Sequence, residues 1–123
     1  MRYIIKSCIN NNTFDCSEGR QIRDFCYIDD FIEAIFLGLE NNNVNGSVLN
    51  IASGVPISIK EITLKVVNII GKGVPNFGKF SIRDDENMSL YADISKAKKL
   101  LKWAPKISIN DGMTRTINYY KNL

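Results

Sequence analysis

The sequence predicts a small mixed α/β domain. Three observations point there. Short alternating stretches and 3.6-residue periods succeed one another along the chain, box-like helix starts stand at Ser58 and Ser108, and 123 residues supply one core and not two. Taken in order, Tyr3–Ile9 predicts a short opening helix, and Asn10-Asn11-Asn12 a loop or helix end. Arg23–Ile28 alternates loosely, as a short strand does. Asp29 and Asp30 offer N-cap chemistry before Ile32, Ile35, Phe36 and Leu39, an apolar series at helical spacing that ends at Asn41-Asn42-Asn43.

Ser47–Ile51 predicts a buried strand stopping at Ala52-Ser53-Gly54. Ser58-Ile-Lys-Glu61 is a capping box ahead of Ile59, Ile62, Val66, Ile69 and Ile70, and Gly71 closes that helix. Gly71 to Gly78 predicts a loop, and Phe77–Ile82 a strand. A further helix runs from Asp93 through Ile94, Ala97, Leu100 and Leu101, with Pro105 forcing its end. Ser108 and Asp111 open a last helix carrying Ile109, Met113, Thr116, Ile117 and Tyr120.

Composition removes whole classes of chemistry. The chain has no His, which excludes Ser-His-Asp and Cys-His arrangements and the usual zinc sets. Cys8, Cys16 and Cys26 are odd in number and contain no C-x-x-C, so they read as buried, reduced thiols, with no metal assigned. A net charge of +3 permits an anionic partner without demanding one, and Lys96-Ala97-Lys98-Lys99 reads as a solvated helix face. No stretch reaches the roughly 20 apolar residues of a membrane span, and no secretory leader is recognisable. The expectation is a cytoplasmic protein with neither membrane nor nucleic acid as partner. A basic nucleic-acid binder is the weakest alternative, because basic and aromatic residues are not interleaved.

No catalytic set can be assembled: the chain has no G-x-G-x-x-G, no P-loop and no H-E-x-x-H. Asp84-Asp85-Glu86 reads as an exposed acidic loop, since consecutive acids point apart on an extended chain. Arg23 draws notice, embedded in Ile22-Arg-Asp-Phe-Cys-Tyr27. A guanidinium beside a half-buried strand needs a carboxylate or an anionic ligand, and the residues leave both open. Asp24 is a poor partner for it, because neighbours on a strand face opposite sides.

Gly19-Arg-Gln-Ile-Arg-Asp-Phe-Cys-Tyr-Ile-Asp-Asp30 resembles the G-x-x-x-R-D-F-x-Y-V-x-D segment of extended short-chain dehydrogenase/reductases, the nucleotide-sugar epimerases and 4,6-dehydratases. Leu49-Asn-Ile-Ala-Ser-Gly54 resembles their N-I-G-S-G turn, Ser58–Glu61 their S-I-x-E helix start, and Arg83-Asp-Asp-Glu86 their R-x-G-D/E segment. Tyr91 to Pro105 is similar to A-D-x-S-K-A-x-x-x-L-G-W-x-P. The order of the five motifs is that of the family.

The resemblance implies that residues 1–123 are the C-terminal part of a Rossmann-type epimerase/dehydratase. On it they form a nucleotide-sugar binding domain lacking the N-terminal dinucleotide-binding half, and not catalytic alone. It implies a nucleoside-diphosphate sugar as ligand, no cofactor held by this chain, and NAD or NADP in the intact enzyme. Arg23 and Arg83 match the pair that approaches the diphosphate, and Glu86 the acid that accepts from ribose hydroxyls. Expected partners are the Rossmann half, if made separately, and further copies of the chain. The alternative from another class is a non-enzymatic scaffold or regulatory fragment of the same fold. Two departures stand out: Asp85 and Lys102 occupy positions where the family has Gly. Asp24 and Asp30 match positions read as structural, one in the turn and one as a helix cap.

Overall fold

The computed structural model describes residues 1–123. Its helices are α1 (Arg2–Ile9), α2 (Ile28–Glu40), α3 (Ile59–Ile70), α4 (Ser95–Leu101) and α5 (Ile109–Lys121), with a 3-10 turn at Asn42–Val44. Its strands are β1 (Thr13–Asp15), β2 (Ile22–Asp24), β3 (Pro56–Ser58) and β4 (Val74–Asn76). β1 pairs with β4 in parallel, and β2 with β3 antiparallel. No helix is long and apolar enough to cross a membrane.

Local chemistry explains the helix ends. α1 stops in a Schellman turn: Asn12 N–H donates to Ser7 O and Asn11 N–H to Cys8 O, both at 2.9 Å, with Asn11 at φ 55°. α3 carries the full capping box, and Gly71 at φ 78° ends it. At α5, Ser108 Oγ accepts from Asp111 N–H at 3.1 Å and donates to Asp111 Oδ2 at 2.7 Å.

Two apolar clusters form the interior. One joins Ile5 and Cys8 of α1, Phe14 of β1, Ile62 and Val66 of α3, and Met113 and Ile117 of α5. The other joins Ala34, Val44, Ile94, Ala97, Leu101 and Trp103. Gly73 lets β4 pass against α1, since a Cβ there would stand 2.7 Å from the Cys8 Cα.

The structure departs from the sequence reading at several elements. The strand expected at Arg23–Ile28 is Ile22–Asp24, because α2 already begins at Ile28. Ser47–Ile51 is not a strand; Lys96 Nζ donates to Val48 O at 3.1 Å where a ladder bond would run. Phe77–Ile82 is not one either. Gly78, at φ 80°, turns the chain so that Lys79 and Phe80 N–H both donate to Cys16 O. The expected Gly71–Gly78 loop contains β4, whose partner β1 has no predicted counterpart.

α2 turns its apolar series outward. Its buried residues are Ala34 and Asp30, while Ile32, Ile35, Phe36 and Leu39 face outward. The small face is the one that fits against α4 and Trp103. Asp30 is not the N-cap, which is Tyr27. Its Oδ2 instead accepts from Ile107 N–H at 2.9 Å, and its carbonyl from Trp103 Nε1 at 3.0 Å. Finally, the reading of the fold as only the C-terminal part of a Rossmann-type architecture is corrected. The parallel pair β1–β4, in a layer with α1, α3 and α5, is parallel α/β structure made by these residues themselves.

Candidate functional site

Arg23 lies at the centre of β2, opposite Ile57 of β3. On the other edge of β2 the segment Glu86–Leu90 runs alongside, held by Ile22 N–H to Met88 O at 2.8 Å and Leu90 N–H to Ile22 O at 3.0 Å. That pairing brings Glu86 to Arg23 across more than sixty residues of chain. Arg23 Nη2 donates to Glu86 Oε1, and Nη1 donates to Ile22 O at 2.7 Å and Asn87 O at 2.8 Å. The open question about Arg23 thus has an answer within the chain: a carboxylate meets it.

The same carboxylate serves the second arginine. A turn closed by Glu86 N–H to Arg83 O at 3.1 Å swings Arg83 back, and its Nη2 donates to Glu86 Oε2 at 3.1 Å. Arg23 and Glu86 are mostly covered, with side chains 23% and 18% exposed, whereas Arg83 is 77% exposed. All three sequence-derived candidates therefore meet in one cluster. Arg83 presents its outer N–H groups to solvent, and Arg23 keeps its Nε–H and one Nη2–H uncommitted. Each Glu86 oxygen retains a lone pair. Asp85 lies 3.8 Å from Arg83 Nε and does not take a positive φ, so the turn forms without the family's Gly.

Asp24 faces the other way, as strand alternation requires. Its Oδ1 accepts from Ser53 N–H at 2.8 Å and from Ser53 Oγ, and its Oδ2 from Gly54 N–H at 2.9 Å and Ala92 N–H at 3.4 Å. One carboxylate thus fixes the 53–54 turn and the chain leading to α4 onto the strand that carries Arg23. The sequence reading has Asp24 as structural, but the number of segments it joins had no local signal. Beside this turn is a cleft of about 350 Å³ bordered by Phe25, Ser53, Val55, Ile57 and Lys106. None of the three candidates lines it. Burial raises the thiol pKa of Cys8, Cys16 and Cys26 above the ordinary value, which keeps them protonated near neutrality.

The glycines do not form a phosphate cradle. Gly71 caps α3, and Gly73 uses its missing Cβ to admit Cys8. The residues present therefore do not fit a dinucleotide pyrophosphate.

The family model described as GDP-mannose 4,6 dehydratase matches residues 1–116. A UDP-glucuronate 4-epimerase of Thermodesulfobacterium geofontis is 39% identical over 109 residues, covering 85% of this chain and 32% of that protein. A CDP-abequose synthase of Salmonella muenchen is 34% identical over 122 residues, covering 94% of this chain and 40% of that protein. The crystal structure of a Bacillus cereus UDP-glucuronic acid 4-epimerase with UDP-glucuronic acid and NAD superposes with a TM-score of 0.86 at 36% identity. That match covers 97% of this chain and 38% of the other.

The chain thus spans about a third to two-fifths of the length of these relatives. The matches also overturn the reading of the chain as merely a C-terminal substrate-binding part, set apart from catalysis. The family match starts at residue 1, and the structural match takes in nearly every element, α1 and the parallel β1–β4 pair included. The epimerase/dehydratase likeness is a property of the whole chain, and what it resembles along that length is a family of enzymes. A non-catalytic binding or scaffold fragment does not fit that likeness.

Proposed function

The chain belongs to the GDP-mannose 4,6 dehydratase family, and from that premise we propose that it serves an NAD(P)-dependent epimerase or dehydratase acting on a nucleoside-diphosphate sugar. NAD accompanies the substrate in the Bacillus cereus epimerase. NAD(P), when bound, supplies reversible hydride transfer at a sugar carbon. The glycines of these residues do not form its cradle.

Within that enzyme, Arg23, Arg83 and Glu86 hold the nucleotide. The observation that carries this reading is one carboxylate shared by two guanidiniums drawn from distant parts of the chain. Two arginines that close would repel in the free protein; Glu86 offsets that and keeps their forks aimed at one place. A diphosphate brings charge enough to engage the outer N–H groups of Arg83 and the spare donors of Arg23. Glu86 then accepts from ribose hydroxyls with its remaining lone pairs. On this reading residues 1–123 form the nucleotide-sugar binding unit, and the chain self-associates.

Thermal unfolding with UDP, CDP, GDP and dTDP tests the reading. A ligand at 100 times its dissociation constant adds about 2.7 kcal/mol, a rise of several degrees for a domain this size. The expected result is a shift with one nucleotide that disappears in Arg83→Ala, whose ligand-free melting stays at the wild-type value because Arg83 is exposed. Arg23→Ala is expected to lower both. No shift with any of the four, or a shift retained in Arg83→Ala, overturns the assignment.

A further inference from the structure

Asp85 is an acid that the arginine cluster does not need. Glu86 already balances Arg23 and Arg83 from the inside, its side chain 18% exposed. Asp85 adds a carboxylate on the outside, 85% exposed, with Oδ1 3.8 Å from the Nε of Arg83. That separation is beyond hydrogen-bond reach, so the Nε–H is not consumed. Asp85 acts on whatever Arg83 binds through charge alone.

Arg23 and Arg83 bring two positive charges to the cluster, and Asp84, Asp85 and Glu86 three negative ones. A Gly at 85, as in the family's R-x-G-D/E segment, would leave the two signs equal. With Asp85 in place, every extra negative charge on a ligand is penalised. We propose that Asp85 sets the ligand preference of this site, favouring a diphosphate esterified at both ends over a free nucleoside diphosphate. The inference rests on the diphosphate reading above and states which diphosphates that site prefers.

The two ligands differ in charge at one end. In a nucleoside-diphosphate sugar each phosphorus has one ionisable oxygen, so the bridge carries two negative charges. A free nucleoside diphosphate ends in a monoester-like phosphate, whose second ionisation near pH 6 adds most of another. A phosphate oxygen held by the outer N–H groups of Arg83 stands across the guanidinium from Asp85, about 6 Å from its carboxylate by ordinary hydrogen-bond lengths. In water, one further charge at that separation weakens binding about threefold. Sugar contacts favour the ester in any case, so the informative quantity is the change in preference between variants.

UDP, CDP, GDP and dTDP are titrated calorimetrically into the 123-residue chain at low ionic strength, each beside its glucose ester. For the base that binds, the dissociation constant of the free diphosphate is divided by that of the ester. The expected ratio is about threefold smaller in Asp85→Asn than in wild type, and the difference closes at about 1 M salt. Asp84→Asn removes the same charge from an exposed side chain that meets neither arginine, and should leave the ratio near its wild-type value. Both positions are exposed, so far-UV circular dichroism and melting temperature stay at their wild-type values. A ratio unmoved in Asp85→Asn overturns the proposal and leaves the diphosphate reading standing. So does an equal change in Asp84→Asn, or one that persists in high salt. Wild type binding neither member of any pair overturns the diphosphate reading, and this proposal with it.

Discussion

Lys102 ends α4 at φ 54°, a left-handed conformation that a side chain with a Cβ adopts only at a cost of about 1–2 kcal/mol. Glycine avoids that cost but loses more freedom on folding, about 0.5–1 kcal/mol. Lys102→Gly is therefore expected to stabilise the protein by about 1 kcal/mol, read as a higher urea midpoint at unchanged slope. Asp85, the other position where relatives carry Gly, has no positive φ, so Asp85→Gly is expected to gain nothing in the same assay. Asp24 is the opposite case. Asp24→Ala strands the N–H groups of Ser53 and Gly54 together, and a loss of about 2–3 kcal/mol is expected in urea unfolding. Of the candidate site, Arg23 was legible from its apolar surroundings, and Arg83 and Glu86 only through resemblance. Arg23 and Glu86 lie too far apart in the chain for any local pattern to pair them. Asp30 misled for a physical reason: an acid at a helix start usually caps it, but here the carboxylate lies one turn in, taken by Ile107 N–H.

At the scale of elements, the capping box of α3 makes a prediction about pH. Ser58 donates to Glu61 Oε2 through its N–H at 2.9 Å and its Oγ–H at 2.6 Å, and these bonds to the charged form hold the Glu61 pKa below its usual 4.5. A carboxylate whose folded value is depressed stabilises fully above its unfolded value and loses that contribution as pH falls through the folded one. Wild type is therefore expected to lose stability on acidification below about 4.5, and Glu61→Gln to lose less over that window. Ser58→Ala should cost about 1 kcal/mol at neutral pH, because the Glu61 N–H loses its acceptor. α3 and α5 were readable because their caps and apolar periods agree. α2 was readable as a helix but not in orientation: its period locates an apolar face without saying what covers it. The strands were mostly illegible. Three-residue strands carry too little alternation to register, and β4 hides between glycines with Pro75 at its centre.

Across the whole molecule, two carboxylates act as polar clamps between segments distant in the chain: Asp24 between β2, the 53–54 turn and Ala92, and Asp30 between α2 and Ile107, with its carbonyl on Trp103. Asp30→Ala leaves the Ile107 N–H half-buried without an acceptor and is expected to destabilise by about 1–3 kcal/mol. Trp103 fluorescence, reporting from the α4 cluster, should lose its cooperative transition at lower urea than in wild type. The partners of Asp30 are Trp103 and Ile107 and none of Arg23, Arg83 and Glu86, so nucleotide affinity measured well below the melting temperature is expected to hold.

The parallel pair β1–β4 has a kinetic consequence. Thr13 and Val74 meet across some sixty residues, and Phe14 is buried only once α3 and α5 are in place behind it. Closing so long a loop returns little until those helices have docked. Folding should therefore begin in α3, whose ends are capped from within the helix and its flanking residues, and finish with β1 settling beside β4. Gly73→Ala, which pushes β4 away from Cys8, is then expected to accelerate unfolding far more than it slows folding. Its mark in a chevron would fall on the unfolding arm, and the last contact made would be the first released.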